Sequence, residues 1–143
     1  MKIAIIGHAA DKFTPATRHE AQVLISALLL DARLLISGGC HLGGIDEWAE
    51  TIARSMSIPR LIHRPALRRW AGGYRERNLR IARDCDALHV IVVARYPAEY
   101  RGMRFDRCYH CNTSDHVKSG ACWTAKRAQE LGRPVRWHIV NGS

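Results

Sequence analysis

The chain has 143 residues, 47% of them hydrophobic, and a formal net charge of +9. That length suits a single domain with one core, spanning 1–143, and that apolar content excludes global disorder. No apolar run approaches the roughly 20 residues of a membrane span, and Met1-Lys2-Ile3-Ala4-Ile5-Ile6 turns into Gly7 too soon for a signal peptide, so the expectation is a cytoplasmic protein with no membrane partner.

Lys2–Ile6 is short, apolar and ends in glycine, which predicts a strand, and Gly7 to Phe13 predicts a loop. Thr14-Pro15 opens a helix, with threonine as N-cap and proline at the first helical position; Ala21, Leu24, Ile25 and Leu28 line one of its faces. Arg33–Ser37 is the second predicted strand. Ile45–Met56 is the second helix, with Ile45, Trp48, Ala49, Ile52, Ala53 and Met56 at helical spacing.

Between that strand and helix lie Ser37 and two glycine pairs, Gly38-Gly39 and Gly43-Gly44. Glycine lets backbone approach a ligand, and the first N–H groups of a helix have no internal partner, so this turn is a candidate anion site. The same glycines would equally serve a turn that needs only their backbone angles. Asp46 and Glu47 fall in the helix's first turn, where they suit its dipole but compete with phosphate. A ribose hydroxyl is an easier neighbour for them.

Arg60–His63 is a third strand, Pro65–Gly73 a loop carrying Trp70, and Tyr74–Cys85 an arginine-rich helix. Between Arg54 and Arg83 stand nine arginines and one acid, Glu76. Such a segment attracts phosphate on a small nucleotide or on a nucleic acid, or else is a solvated basic face. Ala87–Ala94 is apolar on both parities, as a central parallel strand should be. Residues 96–118 read as an irregular insertion. Ser119–Leu131 is the last helix, ended by Gly132 and Pro134, and Val135–Val140 the last strand. The alternation predicts an α/β fold: a parallel sheet of about five strands with helices on both faces and ligands at the strands' carboxyl ends.

The insertion contains Cys108, Cys111 and His116, followed by Cys122, in the pattern C-x2-C-x4-H-x5-C. Five cysteines in a chain of this kind fit thiols or metal ligands better than a disulfide framework. Thiolates and imidazole at these intervals can close a tetrahedron around structural Zn²⁺, whose binding would order the segment; reduced thiols beside a solvent histidine are the alternative. His110 can replace one ligand, and Cys40 and His41 can belong to the site only if the fold brings them near. Cys122 would tie the insertion to the last helix and hold Lys118-Ser119-Gly120 as a phosphate grip, unless Ser119 is only a cap. Arg77 offers a planar fork to phosphate, and Asn78 can read a base or hold ribose. Asp46 and Glu47 are the carboxylates for ribose binding or general-base work. His8 and His41 flank the same edge and can bind phosphate or transfer protons. Trp70, Tyr74 and Trp123 can stack on a base.

Four motifs together resemble the SLOG superfamily, Rossmann-like domains named after the DNA-processing DprA/Smf proteins and the LOG phosphoribohydrolases. They are Ile6-Gly7-His8; Ser37-Gly38-Gly39 with Gly43-Gly44-Ile45-Asp46 and Ala49-Glu50; Arg77-Asn78 with Ile81-Ala82 and Asp84-Cys85-Asp86; and Lys118-Ser119-Gly120 with Thr124-Ala125, Ala128 and Gly132-Arg133-Pro134-Val135. The nearest likeness is to small bacterial and phage-encoded members. The resemblance implies a Rossmann-like fold, a homo-oligomer, and a site for a nucleotide or an NAD-derived relative. Some members cleave the N-glycosidic bond of nucleoside monophosphates, some sense cyclic ADP-ribose, and DprA-like members bind single-stranded DNA. The phosphoribohydrolase motif is Pro-Gly-Gly-x-Gly-Thr-x-x-Glu. Here Ser37 stands at the proline, and alignment on the second glycine pair puts Trp48 on the acid, with Glu47 one residue away.

Overall fold

Strands β1 (Lys2–Gly7), β2 (Leu34–Ser37), β3 (Arg60–Ile62), β4 (Ala87–Val93) and β5 (Val135–Val140) form one wholly parallel sheet in the computed structural model, which describes residues 1–142. Their spatial order is β3-β2-β1-β4-β5. Helices α1 (Pro15–Leu28), α2 (Ile45–Ser55), α3 (Arg75–Asp84) and α4 (Ala121–Glu130) fill the crossovers. The result is the Rossmann-like α/β architecture that the alternating pattern predicts.

Strand side chains alternate between two apolar layers. Ile3, Ile5, Leu35, Ile91 and Val93 face α1 and α2, meeting Ala21, Ile25, Trp48 and Ala49. Ala4, Ile6, Ile36, Val90 and Val92 face α3 and α4, meeting Ile81, Ala82, Ala125 and Ala128. Burying each of the larger aliphatic side chains contributes roughly 1.5–3 kcal/mol, so β4, buried on both faces, is the main apolar anchor of the sheet. Among the described residues no helix is long and apolar enough to cross a membrane.

Helix ends follow local chemistry. Thr14 and Thr17 exchange side-chain and backbone hydrogen bonds in a capping box, which starts α1 at Pro15. The last helix begins at Ala121 rather than Ser119. The Ser119 hydroxyl accepts the Ala121 N–H at 3.2 Å, and the carbonyls of Ser119 and Gly120 are used in tight turns by the Cys122 and Trp123 N–H groups. Residues Trp70–Tyr74, expected mostly as loop, form a wide kinked turn leading into α3, with Gly72 at φ 80°.

The chain winds from β1 out to β3, then crosses back to place β4 on the other side of β1. The connections therefore diverge between the carboxyl ends of β1 and β4, leaving a crevice there.

Candidate functional site

The glycine turn between β2 and α2 is closed by its own partners. Gly39 N–H donates to Ser37 Oγ at 3.3 Å, Cys40 N–H to the Asp46 carboxylate at 3.2 Å, and Gly43 N–H to the Cys40 carbonyl at 3.2 Å. The first amide of α2, Ile45 N–H, donates to the His8 carbonyl at 3.2 Å. Ser37 is fully buried and its hydroxyl donates to Glu50. Gly44, at φ 87°, lies directly against the His8 carbonyl, and a Cβ there would come within 2.6 Å of the Ala10 nitrogen. Its conformation and this close approach both require glycine. Of the residues singled out from sequence, Ser37, Gly38, Gly39, His41, Gly43, Gly44 and Glu47 do not line the cavity between β1 and β4. The reason is tertiary: the loop after β1 packs across this turn and takes its amide.

A cavity of about 530 Å³ opens instead in the crevice between β1 and β4. It gathers Gly7 and His8 from β1 and its loop, Asp46 from α2, Arg77 and Asn78 from α3, and Lys118, Ser119 and Gly120 from the approach to α4. Trp70, Tyr74, Tyr109 and Trp123 add an aromatic wall. Trp70 meets Trp123 edge-on at 4.7 Å, joining the segment before α3 to α4 across the opening.

Each polar group in the cavity has a definite state. His8 Nδ1 accepts the Val93 N–H at 3.1 Å, so its proton sits on Nε2, which donates to the Lys118 carbonyl at 2.9 Å. Burial lowers its pKa to about 4, against which the Lys118 hydrogen bond acts only partly, so the ring is neutral near pH 7. His8 therefore ties β1, β4 and the approach to α4 together, with neither nitrogen left for a ligand. Asp46 accepts the Cys40 N–H, yet burial raises its pKa to about 6 because desolvation outweighs the attraction of Arg77. Arg77 donates to the Gly38 carbonyl and to Asn78 Oδ1, and its guanidinium lies 5.5 Å from the Tyr74 ring. Gly38 leaves room for it, since a Cβ would sit 2.6 Å from Nη1. The Ser119 hydroxyl oxygen accepts from Ala121, leaving its proton to be donated. Lys118 Nζ lies 5.6 Å from the Phe105 ring.

Lys12 and Tyr109 also line the cavity and were not singled out from sequence. Lys12 reaches it through the short helical turn Ala10–Lys12, and pairs with Asp11 at 3.0 Å. Only its place after a strand could have pointed to it. Tyr109 lies inside the Cys108–Cys111 knuckle, whose spacing was legible.

That knuckle belongs to a second constellation. The ligand atoms of Cys108, Cys111, His116 and Cys122 all lie within 4.8 Å of one another and could hold a metal ion. Cys108 and Thr113 pair as an antiparallel bridge, folding the chain back around Cys111, with Asn112 at φ 54° closing the turn. His116 Nδ1 is 2.6 Å from Asp115 Oδ1, which leaves Nε2 facing the sulfurs, 3.6 Å from that of Cys122. A carboxylate on the far ring nitrogen is the usual way a metal-binding imidazole is oriented. Burial pushes the Cys108 thiol up, but hydrogen bonds from the Ser119 and Cys111 backbone and from the Cys122 and Cys111 thiols together lower its pKa, favouring a thiolate. His110, Cys40 and His41 lie outside this group; His110 and Cys40 line the cavity instead.

No family model and no curated protein sequence matches the chain. Among solved structures, DNA processing protein A (DprA) from Streptococcus pneumoniae matches with a TM-score of 0.58 over 95% of this chain, at 18% identity. At that identity the likeness is one of fold alone, a Rossmann-like sheet. The chain corresponds to about half of that protein, 49% of its length.

Proposed function

We propose that the chain binds a phosphorylated nucleoside or an NAD-derived nucleotide in the β1/β4 crevice, as a sensor or sequestering protein. The observation that carries the reading is that one cavity holds three cationic side chains, Lys12, Arg77 and Lys118, a single carboxylate, Asp46, and a wall of tryptophan and tyrosine rings. Cations and a serine hydroxyl suit phosphate, and aromatic faces suit a base. A volume of about 530 Å³ is in the range of small-molecule sites. In this reading Lys118, Ser119 and Gly120, with Lys12, hold the phosphate. Asp46 and Asn78 meet ribose, and the base lies against Trp70, Trp123 and Tyr109. Zinc occupies the neighbouring Cys/His centre: three sulfurs and one imidazole are a donor set for tetrahedral Zn²⁺.

Titration calorimetry of zinc-loaded protein against AMP, ADP-ribose, cyclic ADP-ribose, adenosine and ribose 5-phosphate tests the reading. One of the nucleotides should bind at a single site and more tightly than adenosine or ribose 5-phosphate. Lys118→Ala and Trp70→Ala should each weaken that binding about tenfold, or 1.4 kcal/mol. Absence of heat from every nucleotide contradicts it.

One observation favours turnover as a second reading. Asp46 is a cavity carboxylate whose pKa of about 6 suits a general base or a partner of a ribosyl cation. Release of free base from AMP, lost in Asp46→Asn, would make the protein an N-glycosidase; Glu47 lies outside the cavity and has no part in it. The arginine-rich segment, together with the fold shared with a DNA-processing protein, supports a third reading, single-stranded nucleic-acid binding. That mode predicts affinity falling steeply with salt.

A further inference from the structure

We infer that the Cys108/Cys111/His116/Cys122 centre is a working part of the nucleotide cavity. Metal-free protein binds nucleotide weakly, and bound nucleotide raises the affinity for the metal. The inference rests on the nucleotide reading above and adds its regulation.

Metal ligands and cavity wall are interleaved along the same stretch of chain. Cys108 and Cys111 flank Tyr109 and His110, which both line the cavity. Cys122 sits between Ala121 and Trp123, which also line it. His116 precedes Lys118 by two residues, and the Lys118 carbonyl accepts the proton of His8 Nε2 at 2.9 Å. The Ser119 backbone hydrogen-bonds to the Cys108 sulfur. Every ligand is thus within two residues of the wall, and a shift in any of them moves a group that faces the nucleotide.

The insertion divides by what holds it. In its first half Arg104 donates to the carbonyls of Pro97, Ala98 and Tyr100, and the Tyr96 hydroxyl accepts the Phe105 N–H at 3.1 Å. That half carries its own hydrogen bonds. The second half has the Cys108–Thr113 bridge, Arg107 donating to Asn112 Oδ1, the Asp115 N–H on Thr113 Oγ1 at 3.4 Å, and the Val117 N–H on the Val93 carbonyl at 3.2 Å, with no side chain gathering several carbonyls as Arg104 does. A metal ion joining four side chains supplies the remaining restraint. Removing it should loosen 106–123 and leave 97–105 in place. Because coupling between two binding sites is reciprocal, nucleotide must then raise the affinity for the metal by the same factor as the metal raises that for nucleotide.

The test uses zinc-loaded protein and AMP. Zinc partition between protein and a chromophoric chelator is measured at equilibrium with and without saturating AMP, and AMP affinity is measured for loaded, chelated and zinc-restored protein. AMP should raise the zinc affinity by the factor that zinc raises the AMP affinity. Chelated protein should bind AMP about tenfold or more weakly, within the usual 5- to 150-fold range of coupled sites, and zinc should restore it. Hydrogen exchange should rise in 106–123 alone on chelation. Because a cysteine variant can fail to fold, Asp115→Asn serves as the second probe. It should lose zinc about 10–100 times more readily and bind AMP normally only in excess zinc. Equal AMP affinity with and without zinc overturns the coupling and leaves the nucleotide reading standing. No AMP binding by either form, with the other nucleotides also silent, overturns both.

Discussion

Asp46→Asn should make the protein more stable and a poorer ligand binder. Burial lifts the Asp46 pKa from 3.8 to about 6, against the pull of Arg77 and the Cys40 N–H. Each pKa unit is 1.36 kcal/mol, so the ionised side chain costs the folded state about 3 kcal/mol above pH 6. The folded pKa lies above the unfolded one, so the folded state holds the extra proton between pH 4 and 6. The favourable contribution of that proton is fully present below about pH 4 and lost as pH rises through 6. Asparagine keeps an acceptor for the Cys40 N–H and does not ionise. Urea denaturation of both zinc-loaded proteins should therefore show a difference near zero at pH 4 that grows to about 3 kcal/mol in favour of the variant by pH 7.5. Zinc release in acid is common to both proteins and cancels in the difference. AMP affinity, measured alongside, should fall if the carboxylate meets ribose. A flat difference, or a variant less stable at pH 7.5, would mean that the attraction of Arg77 and the Cys40 N–H outweighs burial and that Asp46 is a structural partner.

His8→Ala removes the acceptor of the buried Val93 N–H and the donor to the Lys118 carbonyl. A loss on the order of 3 kcal/mol is expected by urea denaturation, with faster exchange of the Val93 amide; a loss under about 1 kcal/mol would show that His8 is not the tie between β1, β4 and the approach to α4. Gly120→Ala is the opposite case: φ is −61°, and an added Cβ meets no atom within 4 Å. Thermal unfolding should be unchanged or slightly raised, and a drop in AMP affinity would then report a methyl group crowding the ligand itself.

The alternation of strands and helices is legible because it is a local pattern of burial. Val90-Ile91-Val92-Val93 can only be covered on both faces, and Thr14-Pro15 carries its own cap. The metal constellation is legible for the same reason, since four ligands within fifteen residues need little knowledge of the rest of the chain. The strands' carboxyl edge is legible, and with it Gly7, His8, Asp46, Arg77, Asn78 and Lys118–Gly120, but the cavity's position along that edge is not. It depends on which strand neighbours β1, and no residue of β1 or β4 specifies the order β3-β2-β1-β4-β5 by itself. The two glycine pairs point to the β2–α2 turn, where Gly38 and Gly39 lie against Arg77 and Arg64, and Gly43 and Gly44 against Glu47 and the His8–Ala10 loop. His8 looked like a free loop histidine until the fold brought Val93 and Lys118, 85 and 110 residues away, to its two nitrogens.

A crystal structure of the zinc-loaded protein grown with AMP bears most directly on the nucleotide reading. The expected result is one AMP in the β1/β4 crevice, its phosphate beside Lys118, Ser119 and Gly120 and its base against Trp70 or Trp123. AMP seated on the Gly38–Gly44 turn, or a crevice left without AMP at concentrations that saturate the protein in solution, would contradict it.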